Sequence, residues 1–154
     1  NAIAEIAGSA RQIVDLFAGC GTLSLPLLDN IANLLAVEQS EDALAALKFG
    51  VDAKGIGGQV KTASRNLFDA PLMPDELEGF DMAILDPPRS GAAAQCQMLA
   101  QSGIATIAMV SCNPASFARD AAILTESGFQ LEWVQVIDQF SFSNHLELIG
   151  AFHR

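Results

Sequence analysis

Three short stretches set reactive side chains at the ends of apolar runs. Cys112 follows Ile107-Ala-Met-Val110 and precedes Asn113-Pro114. Pro114 suits a first helical position and Asn113 an N-cap, so Cys112 is predicted where a strand hands over to a helix N-terminus. The partial positive charge of a helix end favours a thiolate, which is the nucleophilic form. Taken alone, a cysteine at a strand end is more often a small buried residue. Asp86-Pro-Pro-Arg89 ends another apolar run. Its prolines withhold donors and stiffen the backbone, which leaves the Asp86 carboxylate and nearby carbonyls as acceptors for an amide-like or amino-bearing ring. A proline turn with a solvated aspartate fits the same residues. In His145-Leu-Glu-Leu148, period 2 puts His145 and Glu147 on one strand face and the leucines on the other. Glu147 is then a candidate proton acceptor among apolar neighbours, or one polar group of a wet edge strand.

A fourth stretch, Asp15-Leu-Phe-Ala-Gly-Cys-Gly21, ends a strand in a glycine turn. Gly19 and Gly21 admit close approach of a ligand to the backbone, and Glu38, about 20 residues on, can take two ribose hydroxyls. Dinucleotide-binding folds share this geometry, but Ser24 stands where their fingerprint has its third glycine. An acid before the turn, Asp15, suits a ligand bearing an amino-acid cation better than a pyrophosphate. S-adenosylmethionine is such a ligand.

These residues need a frame. Residues 1–10 read as a short helical lead-in. Strands are predicted over 12–17, 33–38, 57–63, 79–86, 104–110, 133–137 and 145–152, and helices over 23–30, 40–54, 91–102 and 114–127, with a loop at 140–144. Pro26 is tolerable only in the first turn of its helix. Near-continuous apolar strands alternating with helices define an α/β domain with a mostly parallel seven-stranded sheet, helices on both faces and the ligand site at the carboxyl ends of the strands.

The 154 residues suit one domain. They are 51% hydrophobic, but in short runs, none near the roughly 18 to 20 residues that span a bilayer, and no export signal opens the chain. No membrane association is expected. Asn1 at the start suggests a piece of a longer protein. Three cysteines with no metal-like spacing point to reduced thiols, a cytoplasmic location and no metal. The formal net charge of −10 argues against broad, sequence-independent binding of nucleic acid.

Val14-Asp-Leu-Phe-Ala-Gly-Cys-Gly-Thr22, Leu85-Asp-Pro-Pro-Arg-Ser-Gly91, Ser111-Cys-Asn-Pro114 with Ala118-Arg-Asp120, and His145-Leu-Glu147 resemble, in order and spacing, the catalytic domain of RNA (uracil-5-)-methyltransferases. The similarity covers nearly the whole chain, and the Ser-Cys-Asn-Pro and Ala-Arg-Asp residues are its most specific part. The resemblance implies a Rossmann-like class I methyltransferase fold over residues 1–154, with S-adenosylmethionine as cofactor. It implies Cys112 as nucleophile, Glu147 as base and Asp86 as an acid touching the pyrimidine. Asp15, Phe17, Gly19, Gly21, Glu38, Gln39, Asn66 and Asp86 become the candidate cofactor site, and Arg89, Asn113 and His145 the candidate substrate contacts.

The implied reaction needs those roles. C5 of uracil is a poor nucleophile until a thiolate adds to C6, and the C5 proton must leave before the thiolate can. The implied partner is tRNA or rRNA, held mainly by an N-terminal part absent from these residues. There, family members carry a Gln-rich cofactor-contacting segment, and often a β-barrel RNA-binding domain or an iron–sulfur site. The chain alone is therefore expected to be weakly active or inactive. Methylation of an exocyclic base nitrogen, with no use for the thiol, and a non-catalytic nucleotide-binding module are the alternatives.

Overall fold

The computed structural model describes residues 2–137 and 146–154. Its sheet is built from β1 (Gln12–Leu16), β2 (Asn33–Glu38), β3 (Val60–Ser64), β4 (Met82–Leu85), β5 (Thr106–Ser111), β6 (Gln130–Ile137) and β7 (Glu147–His153). The order across the sheet is β3-β2-β1-β4-β5-β7-β6. The first five strands run parallel, and β7 runs antiparallel between β5 and β6. The predicted mostly parallel, seven-stranded sheet is what forms.

Period 2 divides the core. Ile13, Met82, Ile84, Ala108 and Ile149 face one side, where α1 (Ala2–Ala7) contributes Ile3 and Ile6 and α2 (Glu41–Ala53) contributes Leu47 and Val51. Val14, Leu16, Leu85, Met109 and Phe152 face the other. There α3 (Ala93–Gln101) adds Cys96 and Leu99, and α4 (Pro114–Glu126) adds Phe117, Ala121 and Leu124. Both faces are covered, as near-continuous apolar strands require.

Local chemistry sets the helix starts. Ser40 Oγ accepts from Ala43 N–H at 3.2 Å, and Glu41 and Asp42 occupy the first turn of α2. Asn113 Oδ1 accepts from Ala115 N–H at 3.1 Å at the start of α4, with Pro114 as its first residue.

One predicted helix is absent. Residues 23–30 form only a 3-10 turn, Leu25–Leu27, with Pro26 inside it. Proline withholds the donor that would extend the ladder, and the buried Leu27 and Leu28 anchor the segment by packing instead. β3 starts later than predicted because Gly57–Gln59 forms a second 3-10 turn. β6 is longer than predicted, as an edge strand whose register shifts between Leu131 and Trp133 and so breaks the simple alternation. Among the described residues, no helix is long and apolar enough to cross a membrane.

Candidate active site

β1 has β2 on one side and β4 on the other, so the chain reverses its direction of winding there. Open α/β sheets bind ligands at the carboxyl ends of strands at such a point. Two cavities lie there, and Asp86, directly after β4, lines both.

The first cavity is about 350 Å³ and is lined by Phe17, Glu38, Gln39, Asn66, Phe68 and Asp86, among others. Glu38 is braced by the glycine turn. Gly19 N–H donates to its Oε2 at 3.0 Å, and Ser40 N–H to its Oε1 at 2.8 Å. Each oxygen keeps acceptor capacity for a hydroxyl. Phe17 holds a left-handed φ of 63°, a costly conformation for a bulky side chain and of a kind concentrated at ligand sites. Its ring centre lies 5.2 Å from that of Phe68. Asn66 shapes the loop carrying Phe68, with Oδ1 accepting from Phe68 N–H at 3.0 Å and Nδ2 donating to Asp69 at 2.6 Å.

Asp15 precedes the turn in β1, and Gly21 closes it, its N–H donating to the Ala18 carbonyl at 2.8 Å. Asp15 is 1% exposed, and neither of its carboxylate oxygens has a hydrogen-bond partner. Burial pushes its pKa up to about 7; the Ser24 hydroxyl, which faces it without hydrogen-bonding geometry, pulls the other way, and Asp86 and Glu38 add to the rise. Gly21, at φ +83°, leaves a gap that Leu25 and Leu47 fill, so it faces the core.

The second cavity, about 290 Å³, gathers the three predicted catalytic residues. Cys112 from the end of β5, Glu147 from the start of β7 and Asp86 share it with Leu23, Val110, Ile137 and Ile149. β5 and β7 are paired neighbours, with Ser111 opposite Leu148, which is why residues 35 apart in sequence meet. Burial, then the nearby Glu147 charge, pushes Asp86 up to about 6. Cys112 is half-buried, Cys20 is exposed, and Cys96 lies in the core, where burial pushes its thiol far up. Among the described residues, no cluster of His, Cys, Asp and Glu suits a metal ion.

The predicted substrate contacts fall differently. Arg89 is exposed. Asn113 is engaged within the chain, its Nδ2 donating to the Arg89 carbonyl at 2.9 Å and its Oδ1 capping α4. His145 and the loop at 140–144 lie outside the described residues. Sequence reading missed Phe68 and the apolar wall of the second cavity. An aromatic two residues past Asn66 was the available signal for the first; the wall comes from four separate segments and has none.

The sheet order and the paired cavities at its switch point define a Rossmann-like methyltransferase fold. The chain resembles the crystal structure of a Pyrococcus abyssi tRNA (uracil-54, C5)-methyltransferase in complex with S-adenosyl-L-homocysteine, with a TM-score of 0.82 and 24% identity over 99% of this chain and 37% of that one. A precorrin-6y C5,15-methyltransferase of Geobacter metallireducens gives 0.78 at 12% identity, over 99% and 86% of the two chains. These likenesses are of fold. The chain belongs to the tRNA (uracil-5-)-methyltransferase family, whose sequence profile matches residues 2–153. It is 43% identical to an uncharacterised RNA methyltransferase of Rhizobium meliloti, over 96% of this chain and 35% of that protein. It is 37% identical to the 23S rRNA (uracil(1939)-C(5))-methyltransferase RlmD of Burkholderia thailandensis, over 93% and 33%. The chain thus spans about a third of the length of these curated relatives.

Proposed function

We propose that these residues are the catalytic domain of a longer RNA (uracil-5-)-methyltransferase that uses S-adenosylmethionine and works through a covalent Cys112 adduct. The observation that carries this reading is Asp86, which walls both the first cavity and the one holding Cys112 and Glu147. The first cavity suits the cofactor, with Glu38 for ribose hydroxyls and the Phe17 and Phe68 rings for a purine face; Asp15, buried and outside the cavity lining, favours a nearby cation only through its charge. S-adenosylmethionine supplies an electrophilic methyl group.

In the second cavity the Cys112 thiolate adds to C6 of uracil, and the electron pair displaced from the C5–C6 bond makes C5 nucleophilic. In this reading the Asp86 carboxylate accepts from the ring N3–H and so holds the pyrimidine beside the thiol. Glu147 accepts the C5 proton once C5 carries its methyl group, and the C5–C6 double bond re-forms as the thiolate leaves. Leu23, Val110, Ile137 and Ile149 keep water from the enolate. A reactive thiol stays reduced in the cytoplasm, where the reaction belongs. The substrate is a uridine of structured tRNA or rRNA, gripped mainly by residues outside this chain.

The test uses full-length protein, cofactor and RNA containing 5-fluorouridine, whose C5 fluorine cannot leave as a proton does. A denaturation-resistant protein–RNA adduct is expected, and Cys112→Ala abolishes it. Glu147→Gln traps an adduct on ordinary uridine RNA, because addition and methyl transfer no longer lead to release. An adduct surviving in Cys112→Ala overturns the nucleophile. Full activity of Cys112→Ser with methylated adenine or cytosine as product replaces the reading with exocyclic-nitrogen chemistry.

A further inference from the structure

Asp120 is buried, at 1% exposure, in the middle of α4, away from both cavities. A buried carboxylate is costly unless its lone pairs are satisfied. Here both oxygens are used. Oδ2 accepts from Ala92 N–H at 2.6 Å, and Oδ1 accepts from Arg119 Nε at 2.9 Å and Nη2 at 2.6 Å. Arg119 Nη2 also donates to the Ser90 carbonyl at 2.9 Å, and Asn113 Nδ2 to the Arg89 carbonyl at 2.9 Å. Three side chains of α4 and its cap therefore grip three backbone groups of the loop that begins at Asp86. Inside that loop Gly91 N–H donates to the Pro88 carbonyl at 2.8 Å. Gly91 holds φ +75°, and the side chains of Arg119, Asp120 and Ser116 stand where a Cβ would go.

We propose that Asp120, with Arg119 and Asn113, is a positioning unit that sets the Asp86 loop against the Cys112 helix. It rests on the roles given above to Asp86 and Cys112. Asp86 follows a four-residue strand and precedes two prolines, which bring no donors of their own; its N–H donates to the Leu16 carbonyl at 3.3 Å on one side, so the other restraint on its position must come from the far end of its loop. The clamp supplies that end. Its donors and acceptors come from α4 and its cap Asn113, the residue directly after the nucleophile, so the clamp ties the position of the acid to that of the thiol. Catalytic geometry is steep in distance, and a misplacement of about 1 Å costs on the order of 100-fold in rate.

The test measures the single-turnover rate of adduct formation on 5-fluorouridine RNA, with full-length protein, in four forms: wild type, Asp120→Asn, Asp86→Asn and the double variant. Asp120→Asn keeps an acceptor for Ala92 but turns a donor toward the Arg119 guanidinium. It is expected to slow the reaction about 10-fold or more at saturating cofactor. In the Asp86→Asn background it adds less than about 2-fold, because both changes remove one arrangement. Arg119→Gln, at a half-exposed site, is expected to act in the same direction, with little rescue by Arg119→Lys, whose single ammonium cannot serve Asp120 and Ser90 as a fork does.

Equal slowing in both Asp86 backgrounds overturns the proposal. So does a lowered melting temperature with an unchanged rate. If wild type forms no adduct, the catalytic reading fails and this one falls with it; an adduct formed equally fast by wild type, Asp120→Asn and Arg119→Gln sinks this inference alone.

Discussion

Asp15 carries an acid that lies wholly inside the protein with no partner of its own. Its pKa is raised from 3.8 to about 7, by burial above all. The sign of the linkage follows. The folded state holds this proton to higher pH than the unfolded chain does, so the stabilisation is complete below about pH 4 and is lost as pH rises through about 7. Ligand-free protein is thus expected to lose melting temperature from pH 5 to pH 8, and Asp15→Asn, always neutral, flattens that part of the profile. A wild-type profile as flat as that of the variant refutes the shift. A bound cofactor cation near the turn would favour ionised Asp15, so the wild-type slope should diminish at saturating S-adenosylhomocysteine, whose ammonium remains. Asp86, pushed up to about 6 by burial and Glu147, follows the same sign over a narrower window.

At the scale of elements, two glycines with left-handed φ separate turn chemistry from packing. Gly19, at φ +54°, has nothing within 4 Å of where a Cβ would stand, whereas Gly91, at φ +75°, is closed in by the Arg119–Asp120 clamp. Gly19→Ala is expected to cost about 1 to 2 kcal/mol from backbone strain alone. Gly91→Ala adds displacement of the Arg119–Asp120 pair, whose carboxylate is buried, and should cost at least about twice as much. Chemical denaturation without ligand ranks them, and equal losses would remove the clamp's steric half. Most elements were legible in the sequence, because buried parallel strands are apolar runs and the caps of α2 and α4 are Ser40 and Asn113. The turn around Pro26 was not, since four apolar residues beside a proline satisfy a helical pattern that one missing donor ends. Cys112, Asp86 and Glu147 were legible as strand ends. Their meeting depended on the β5–β7 pairing and the β1–β4 switch point, which no local pattern encodes. Asp120 was visible as part of a motif, but its role lies in its bond to Ala92, 28 positions earlier, and in that of its partner Arg119 to Ser90, 29 positions earlier, which periodicity does not show.

At the scale of the whole molecule, charge limits how this chain would grip the RNA substrate proposed for it. Eight Lys and Arg face eighteen Asp and Glu, for a net −10, and several of those cations are occupied. Arg65 pairs with Glu76 at 2.6 Å and Arg119 with Asp120. Arg154 donates to the carbonyls of Ile104 and Ala100 and lies over the Phe129 ring. Beside the loop of Asp86, Arg89 stands exposed with no ion pair among the described residues. Affinity for RNA falls with salt in proportion to the phosphates neutralised, with a slope near −0.7 per contact on single strands. One or two contacts give this chain by itself a slope of about −1 and weak binding. A full-length protein that spreads basic surface elsewhere should give about −4 or steeper. Fluorescence anisotropy of one labelled RNA, titrated with both proteins from low to physiological salt, separates the two. A slope as steep for the 154 residues alone would mean that the acidic surface hides a continuous phosphate track, and the grip on RNA would then have to be sought within this fold.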